Sequence, residues 1–198
     1  HYQLARFQLL TSQAERAVEN FQRAIAKAPD SGGAHTGLGT ALAALGRYDE
    51  ARSSLEAALR LEPGDSEAQR SLGYVLMQKG LIAEACEIYR ASLEQSPNDV
   101  SALNNLAWML ATAEAAGHRD GAQAVGYARR AVEASGMEHP TLLMTLAAAH
   151  AEAGQFAEAV NAAERALELA RASSNSALEQ SLRGHLEADR RARRLRAP

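Results

Sequence analysis

The chain has 198 residues, of which 46% are hydrophobic and only 5% aromatic, and a formal net charge of −3. That length and apolar content can bury a sizeable core built mainly from Ala and Leu, as an array of helices would. The small charge excludes a whole-chain case for binding a polyanion. A single cysteine, Cys86, excludes an internal disulfide, and no uninterrupted apolar run is long enough to span a bilayer.

In chain order, a first helix is already under way at His1-Tyr2-Gln3-Leu4 and ends near Leu10, which reads as a fragment of a larger protein. Helices are then predicted over 14–27, 31–44, 48–61, 65–78, 82–95, 99–113, 120–135, 140–153 and 156–172. The joints Pro63-Gly64-Asp65 and Pro97-Asn98-Asp99 each stop one helix and offer an Asp to cap the next. Glu50, Glu84 and Glu158 share an early position in a second helix, where a carboxylate suits the positive helix end. Ser173 to Ser176 breaks the pattern. A last helix, about 177–195, carries Leu178, Leu182 and Leu186 every four residues and reads as a solubilising cap.

These helices repeat. Pro29, Pro63 and Pro97 fall 34 residues apart, a period that marks stacked structural units. In the same frame lie Ala17, Ala51 and Ala85, then Phe21, Leu55 and Tyr89, then Ala24, Ala58 and Ser92; upstream are Leu4-Ala5, Leu38-Gly39 and Leu72-Gly73. After Pro97 the frame runs on through Leu103, Leu106, Ala107 and Leu110. It then slips by five residues around Ala115 to Gly121 and resumes at Ala124, Ala128 and Ala131. A fifth unit follows through Leu143, Ala147, Gly154, Ala159, Ala163 and Ala166, where Arg171 replaces the closing proline and predicts a longer second helix.

This pattern resembles the tetratricopeptide-repeat (TPR) family, over nearly the whole chain. The resemblance implies an all-α, right-handed superhelical solenoid of about five helix–turn–helix units, about 1–30, 31–64, 65–98, 99–138 and 139–172, with 173–198 as a capping helix and basic tail. From the fourth unit onward the chain looks like the C-terminal arrays of large bacterial repeat proteins. Small residues at the close-approach positions let paired helices lie together, while Leu, Phe and Tyr fill the gaps between units that cannot bury an apolar face alone.

Catalytic and cofactor signatures are missing. The six histidines show no HExxH or Cys/His ligand spacing, and there is no P-loop, no GxGxxG opening a helix after a strand and no GxSxG elbow. The expectation is no enzyme activity, no metal, no cofactor and no small-molecule substrate. Cys86 follows the packed Ala85 and is expected as a buried thiol; His150, in place of a large apolar residue, is expected as a packed imidazole. Compartment stays open between cytoplasm and periplasm, since a helical array requires no disulfides in either.

The family's partners usually lie on an inner surface lined by the first helix of each pair. Carried over by position, that surface holds Glu67, Arg70, Ser71, Tyr74, Met77 and Gln78 in unit three and Ser101, Asn104, Asn105, Trp108 and Thr112 in unit four. Unit two adds Gly33, Thr36, Gly37, Thr40 and Ala44; unit five adds Thr141, Met144, Thr145 and Ala148. The expected partner-binding residues are Arg70, Tyr74, Met77, Asn104, Asn105, Trp108 and Met144. Tyr74 and Trp108 are amphipathic anchors, and an Asn pair can hydrogen-bond a peptide backbone of any sequence. Trp108 is open to a second reading, in which it packs over the inserted loop of its own unit. The chaperone-tail carboxylate clamp fails here, because its positions hold Tyr2, Arg6, Gly37, Glu67 and Ser71. The expected function is a protein or peptide scaffold, with self-association as one version. A substrate-presenting domain of a larger enzyme, such as a bacterial glycosyltransferase of the O-GlcNAc-transferase type, is the alternative. The run Arg190 to Arg196 is either a solvated end or an electrostatic contact for an acidic partner, nucleic acid or anionic membrane.

Overall fold

The computed structural model describes residues 13–136 and 139–172, together with the single positions Gln180 and Gly184. The helix predicted up to Leu10, the capping helix at 177–195 and the arginine run lie outside the described residues.

Among the described residues there are nine α-helices and no strand. They are α1 (Ala14–Lys27), α2 (Gly32–Ala44), α3 (Tyr48–Leu61), α4 (Ser66–Gln78), α5 (Ile82–Gln95), α6 (Val100–Thr112), α7 (Gly121–Ser135), α8 (Pro140–Glu152) and α9 (Phe156–Ala172). A 3-10 turn, Ala116–His118, occupies the insertion. Each begins within a residue or two of its predicted start, and α9, at 17 residues, is longer than its counterparts α3 and α5, at 14 each. The chain forms two compact bodies divided between Gln95 and Ser96.

In the N-terminal body the helix starts follow from the caps. Asp65 Oδ1 accepts the N–H groups of Glu67 at 2.9 Å and Ala68 at 3.0 Å, answering two of the donors that a helix start leaves open. Pairs of helices are joined by a repeated turn. At Gly46 and Gly80, both with φ of +72°, the chain enters the left-handed region that glycine tolerates. Arg47 N–H then bonds Leu42 C=O and Leu81 N–H bonds Leu76 C=O, the crossed pattern that closes a helix end. Side chains also bind the proline joints: Gln69 Nε2 donates to the carbonyl of Pro63 at 3.0 Å, and His35 Nε2 lies 2.9 Å from that of Pro29.

The core of this body is the small-against-large pattern of the repeat. Ala17, Phe21, Ala51, Leu55, Ala85 and Tyr89 are fully buried. A Cβ on Gly73 would lie 2.5 Å from Cζ of Tyr89, so the aromatic ring fills the space that glycine leaves. Ion pairs line the outside: Arg52 bridges Glu56 of its own helix at 2.7 Å and Glu84 of α5 at 2.9 Å, and Lys79 pairs with Asp49. Arg47 holds Glu50 in a two-pronged contact at 2.7 and 2.6 Å. The acids predicted as helix-end charges are engaged in this way at Glu50 and Glu84.

The C-terminal body keeps the pattern with two departures. Asp99 caps α6 as Asp65 caps α4, at 2.8 and 3.1 Å. The position of Gln69 is taken by the buried Leu103, and the carbonyl of Pro97 is bound instead by Arg130 of α7 at 2.6 Å. The insertion is tied down at both ends: Asp120 N–H bonds Leu110 C=O, Arg119 pairs with Glu152 at 3.4 Å, and Gly121 abuts the Ala153 backbone so closely that a Cβ would sit 2.4 Å from its nitrogen. Behind it, Leu143, Ala147, Val160, Ala163, Ala166 and Leu167 form a core with Met144 packed on its edge. The turn at Gly154 repeats the crossed pattern, with Gln155 N–H on His150 C=O. His150 is buried as expected, and its Nδ1 lies 2.5 Å from Gln155 Oε1.

Candidate functional site

The first helices of the N-terminal body are α2 and α4. They meet along polar contacts: Thr36 Oγ1 donates to Asp65 Oδ2 at 2.6 Å, and Thr40 Oγ1 and Ser71 Oγ lie 3.2 Å apart. Thr36, expected on a partner-facing surface, is 3% exposed and belongs to this seam; Gly37 is buried beneath the Phe21 ring. Thr36 is covered from the side of α4 and Gly37 from the side of α1.

One turn further around α4, Glu67, Arg70, Tyr74 and Gln78 are exposed and Met77 is half-buried. Spacings of three and four residues put them on one ridge of the helix. Among the described residues Tyr74, at 41% exposure, and Leu61 are the large apolar side chains left open to solvent. The Tyr74 hydroxyl is held above the usual phenol range by partial burial first, and then by the charge and hydrogen bond of Tyr48. Tyr48, the first residue of α3, was not singled out by the repeat frame; its place beside the Gly46 turn is the signal that could have found it. Arg70 keeps its guanidinium exposed, while its carbonyl accepts the Tyr89 hydroxyl at 3.3 Å. The ridge thus offers a cation, a phenol and a thioether, which can pair with a carboxylate and hold an apolar side chain.

In the C-terminal body the first helices are α6 and α8. Asn104, Asn105 and Trp108 are half-buried on α6, with Ser101 and Thr112 exposed beside them. Asn105 and Trp108 have interaction partners within the fold. The Trp108 carbonyl accepts the Thr112 hydroxyl at 2.8 Å. Asn104 differs: its Oδ1 is buried and has no hydrogen-bond partner, the sole such side-chain atom among the described residues. On α8, Met144 is half-buried against the core, whereas Thr145, expected on the same surface, is 1% exposed and donates to Thr141 C=O at 3.2 Å. Asn104, Asn105, Trp108 and Met144 thus lie in the C-terminal body, and Arg70, Tyr74 and Met77 in the N-terminal one.

No group of three or more His, Cys, Asp or Glu that could hold a metal occurs among the described residues. None of the described helices is long and apolar enough to cross a membrane. Cys86 is 5% exposed, and burial is the main cause that pushes its thiol up from the ordinary range.

Tetratricopeptide-repeat models match residues 2–54 and 36–100, and a second model of the same description matches 141–177. The chain belongs to the tetratricopeptide-repeat family. Among curated proteins none matches the sequence. Solved TPR structures show the same fold. MamA 41-end from Desulfovibrio magneticus RS-1 superposes with a TM-score of 0.73 at 20% identity, covering 86% of this chain and 94% of that one. YrrB, described as a TPR protein with an unusual peptide-binding site, gives 0.70 at 18% identity, covering 91% and 88%. PilW, a type IV pilus biogenesis factor, gives 0.72 at 20% identity, covering 94% and 90%. The TPR fold supports a protein-interaction scaffold; at these identities the likeness establishes the fold and no partner.

Proposed function

We propose that this TPR chain is a non-catalytic scaffold that holds an extended segment of another protein against the first helices of its repeats. In the N-terminal body the contact ridge is Arg70, Tyr74 and Met77; in the C-terminal body it is Asn104, Asn105, Trp108 and Met144. The observation that carries this reading is Tyr74: a large aromatic side chain left 41% exposed, one helical turn from an exposed Arg, in a body whose Phe21 and Tyr89 are wholly buried. Tyr and Arg on a shared ridge have the chemistry of binding hot spots. YrrB, whose description names a peptide-binding site, is a precedent on the same fold.

The test is affinity capture from the source cell. Tyr74→Ala in one body, and Trp108→Ala with Asn105→Ala in the other, are expected to abolish capture of the wild-type partner while helicity is kept. A partner still captured by all these variants contradicts the reading. A captured partner that proves to be a second copy of this chain makes the scaffold a self-associating one.

A further inference from the structure

The seam between α1 and α3 is open where the seam between α3 and α5 is bridged. In the second seam Arg52 reaches across to Glu84 at 2.9 Å, and Ile88 stands half-buried beside it. One repeat earlier the same three steps hold Val18, Glu50 and Ser54. Val18 is buried and carries no charge to cross the seam, and Glu50 is held by Arg47 on its own side. Between α1 and α3 lies a groove of about 280 Å³. Its apolar surface comes from Ile25, Leu38 and Ala57, and its polar edge from Gln22, His35, Ser53 and Ser54. No residue of α4 lines it, so it is separate from the ridge of Arg70 and Tyr74.

The polar edge is set to accept. His35 Nε2 lies 2.9 Å from the carbonyl of Pro29, an atom that only accepts, so Nε2 carries a proton and in the neutral ring Nδ1 keeps its lone pair. The Ser53 and Ser54 hydroxyls donate to the carbonyls of Asp49 and Glu50 at 3.1 and 3.0 Å, which leaves their oxygens to accept as well. No carboxylate lines the groove, so a cation entering it sheds water without gaining a counter-charge. An anion meets acceptors and apolar walls. The occupant that fits has an apolar body and a neutral donor. Among side chains that is the indole of tryptophan, whose ring nitrogen donates and never accepts. At about 280 Å³ the groove falls just short of the roughly 300–1,000 Å³ typical of small-molecule pockets, which suits a single side chain.

We propose that this groove is a second docking surface, which receives a tryptophan side chain of a partner protein. Trp108, the chain's single tryptophan, is half-buried on α6 with interaction partners within the fold, so the occupant comes from a different protein and not from a second copy. The indole lies over Ile25, Leu38 and Ala57, and its N–H reaches the acceptors of the edge. This surface is independent of the first-helix ridges and stands without them.

Two probes of one shape test it: indole, and benzofuran, in which an oxygen replaces the N–H. Each is titrated into the full chain while the Ile25 methyl and His35 ring signals are followed by NMR. Indole is expected to move both, and benzofuran to bind about tenfold more weakly, as loss of a hydrogen bond does. Equal affinities, or indole shifts that spare Ile25 and His35, overturn the proposal. Ser54→Ile copies Ile88 of the next repeat, and Ala57→Leu fills the groove from a half-buried position. Either variant, with a melting midpoint near that of wild type, is expected to lose indole; binding retained in a folded variant overturns the proposal. Peptides are then selected from a random-sequence display library against the chain carrying Tyr74→Ala and Trp108→Ala. They are expected to share a tryptophan, to weaken about tenfold when it is exchanged for phenylalanine, and to lose binding on Ser54→Ile. Selected peptides that lack tryptophan, or that bind the Ser54→Ile chain equally well, overturn the proposal and leave the first-helix ridges untouched.

Discussion

The ring of Tyr89 occupies the place where a side chain on Gly73 would begin: a Cβ there would lie 2.5 Å from Cζ and 2.7 Å from Cε2. Helices α4 and α5 close on each other through this pair, with the Tyr89 hydroxyl reaching back to the Arg70 carbonyl. The contact connects fold to function, because Arg70 and Tyr74 flank Gly73 on the helix that this packing holds in place. Gly73→Ala should therefore destabilise the N-terminal body by about 1–3 kcal/mol, the usual consequence of overpacking, even though alanine is the better helix former. Urea unfolding measures it, and an unchanged or raised midpoint would show that the α4–α5 seam opens more easily than its geometry implies.

Asp65 has two duties, one on each oxygen. Oδ1 caps α4 and Oδ2 receives the Thr36 hydroxyl. Asp65→Ala removes both and should lower stability by roughly 1–3 kcal/mol, given about 0.5–2 for a lost cap and a further share for the lost Thr36 contact, whose hydroxyl keeps only the Gly32 carbonyl at 3.2 Å. Thr36→Val, which removes only the second contact, should lower it by less. Equal effects of the two substitutions in chemical denaturation would refute this division of roles.

Acid should loosen the outer ion pairs before anything else. The hydrogen bond from Lys79 holds the Asp49 carboxyl below its ordinary range, and the one from Arg47 does the same for Glu50. A depressed folded-state value means that the stabilising contribution is present above the unfolded carboxylate range, about pH 4, and is lost as pH falls through the lower folded value. Both groups lie at the surface, so the effect is small and is screened by salt. The melting midpoint should fall below about pH 4, and Asp49→Asn with Glu50→Gln should flatten that fall. An acid limb identical in the double variant would rule these pairs out as its source.

Much of this fold could be read from residue spacing. The prolines set the period, Asp65 and Asp99 announced the helix starts they cap, and Arg171 in place of proline announced the longer last helix. Packing of the large residues followed as well, since Phe21, Leu55 and Tyr89 each stand at the same step of the repeat and each is fully buried. The binding surface was less legible. Register shows which side of a first helix faces inward, but what covers each position is a tertiary property: Asp65 meets Thr36 and the Phe21 ring covers Gly37, while Arg70 and Tyr74 stay open. The bond between His150 and Gln155 was hidden for a related reason. It crosses a turn where the corresponding residues, Leu76 and Leu81, are both apolar, and a polar pair in that setting declares itself only when both side chains are seen to meet. The missing partner of Asn104 is likewise a property of the whole neighbourhood.

The central claim, that another protein lies against the first-helix ridges, is tested most directly by site-specific photo-crosslinking. A benzoylphenylalanine is placed at Tyr74 and, separately, at Trp108, with a control at the exposed second-helix position Arg129. Irradiation in the source cell should give one crosslinked partner from Tyr74 and from Trp108 and none from the control. Crosslinks confined to Arg129 would contradict the account.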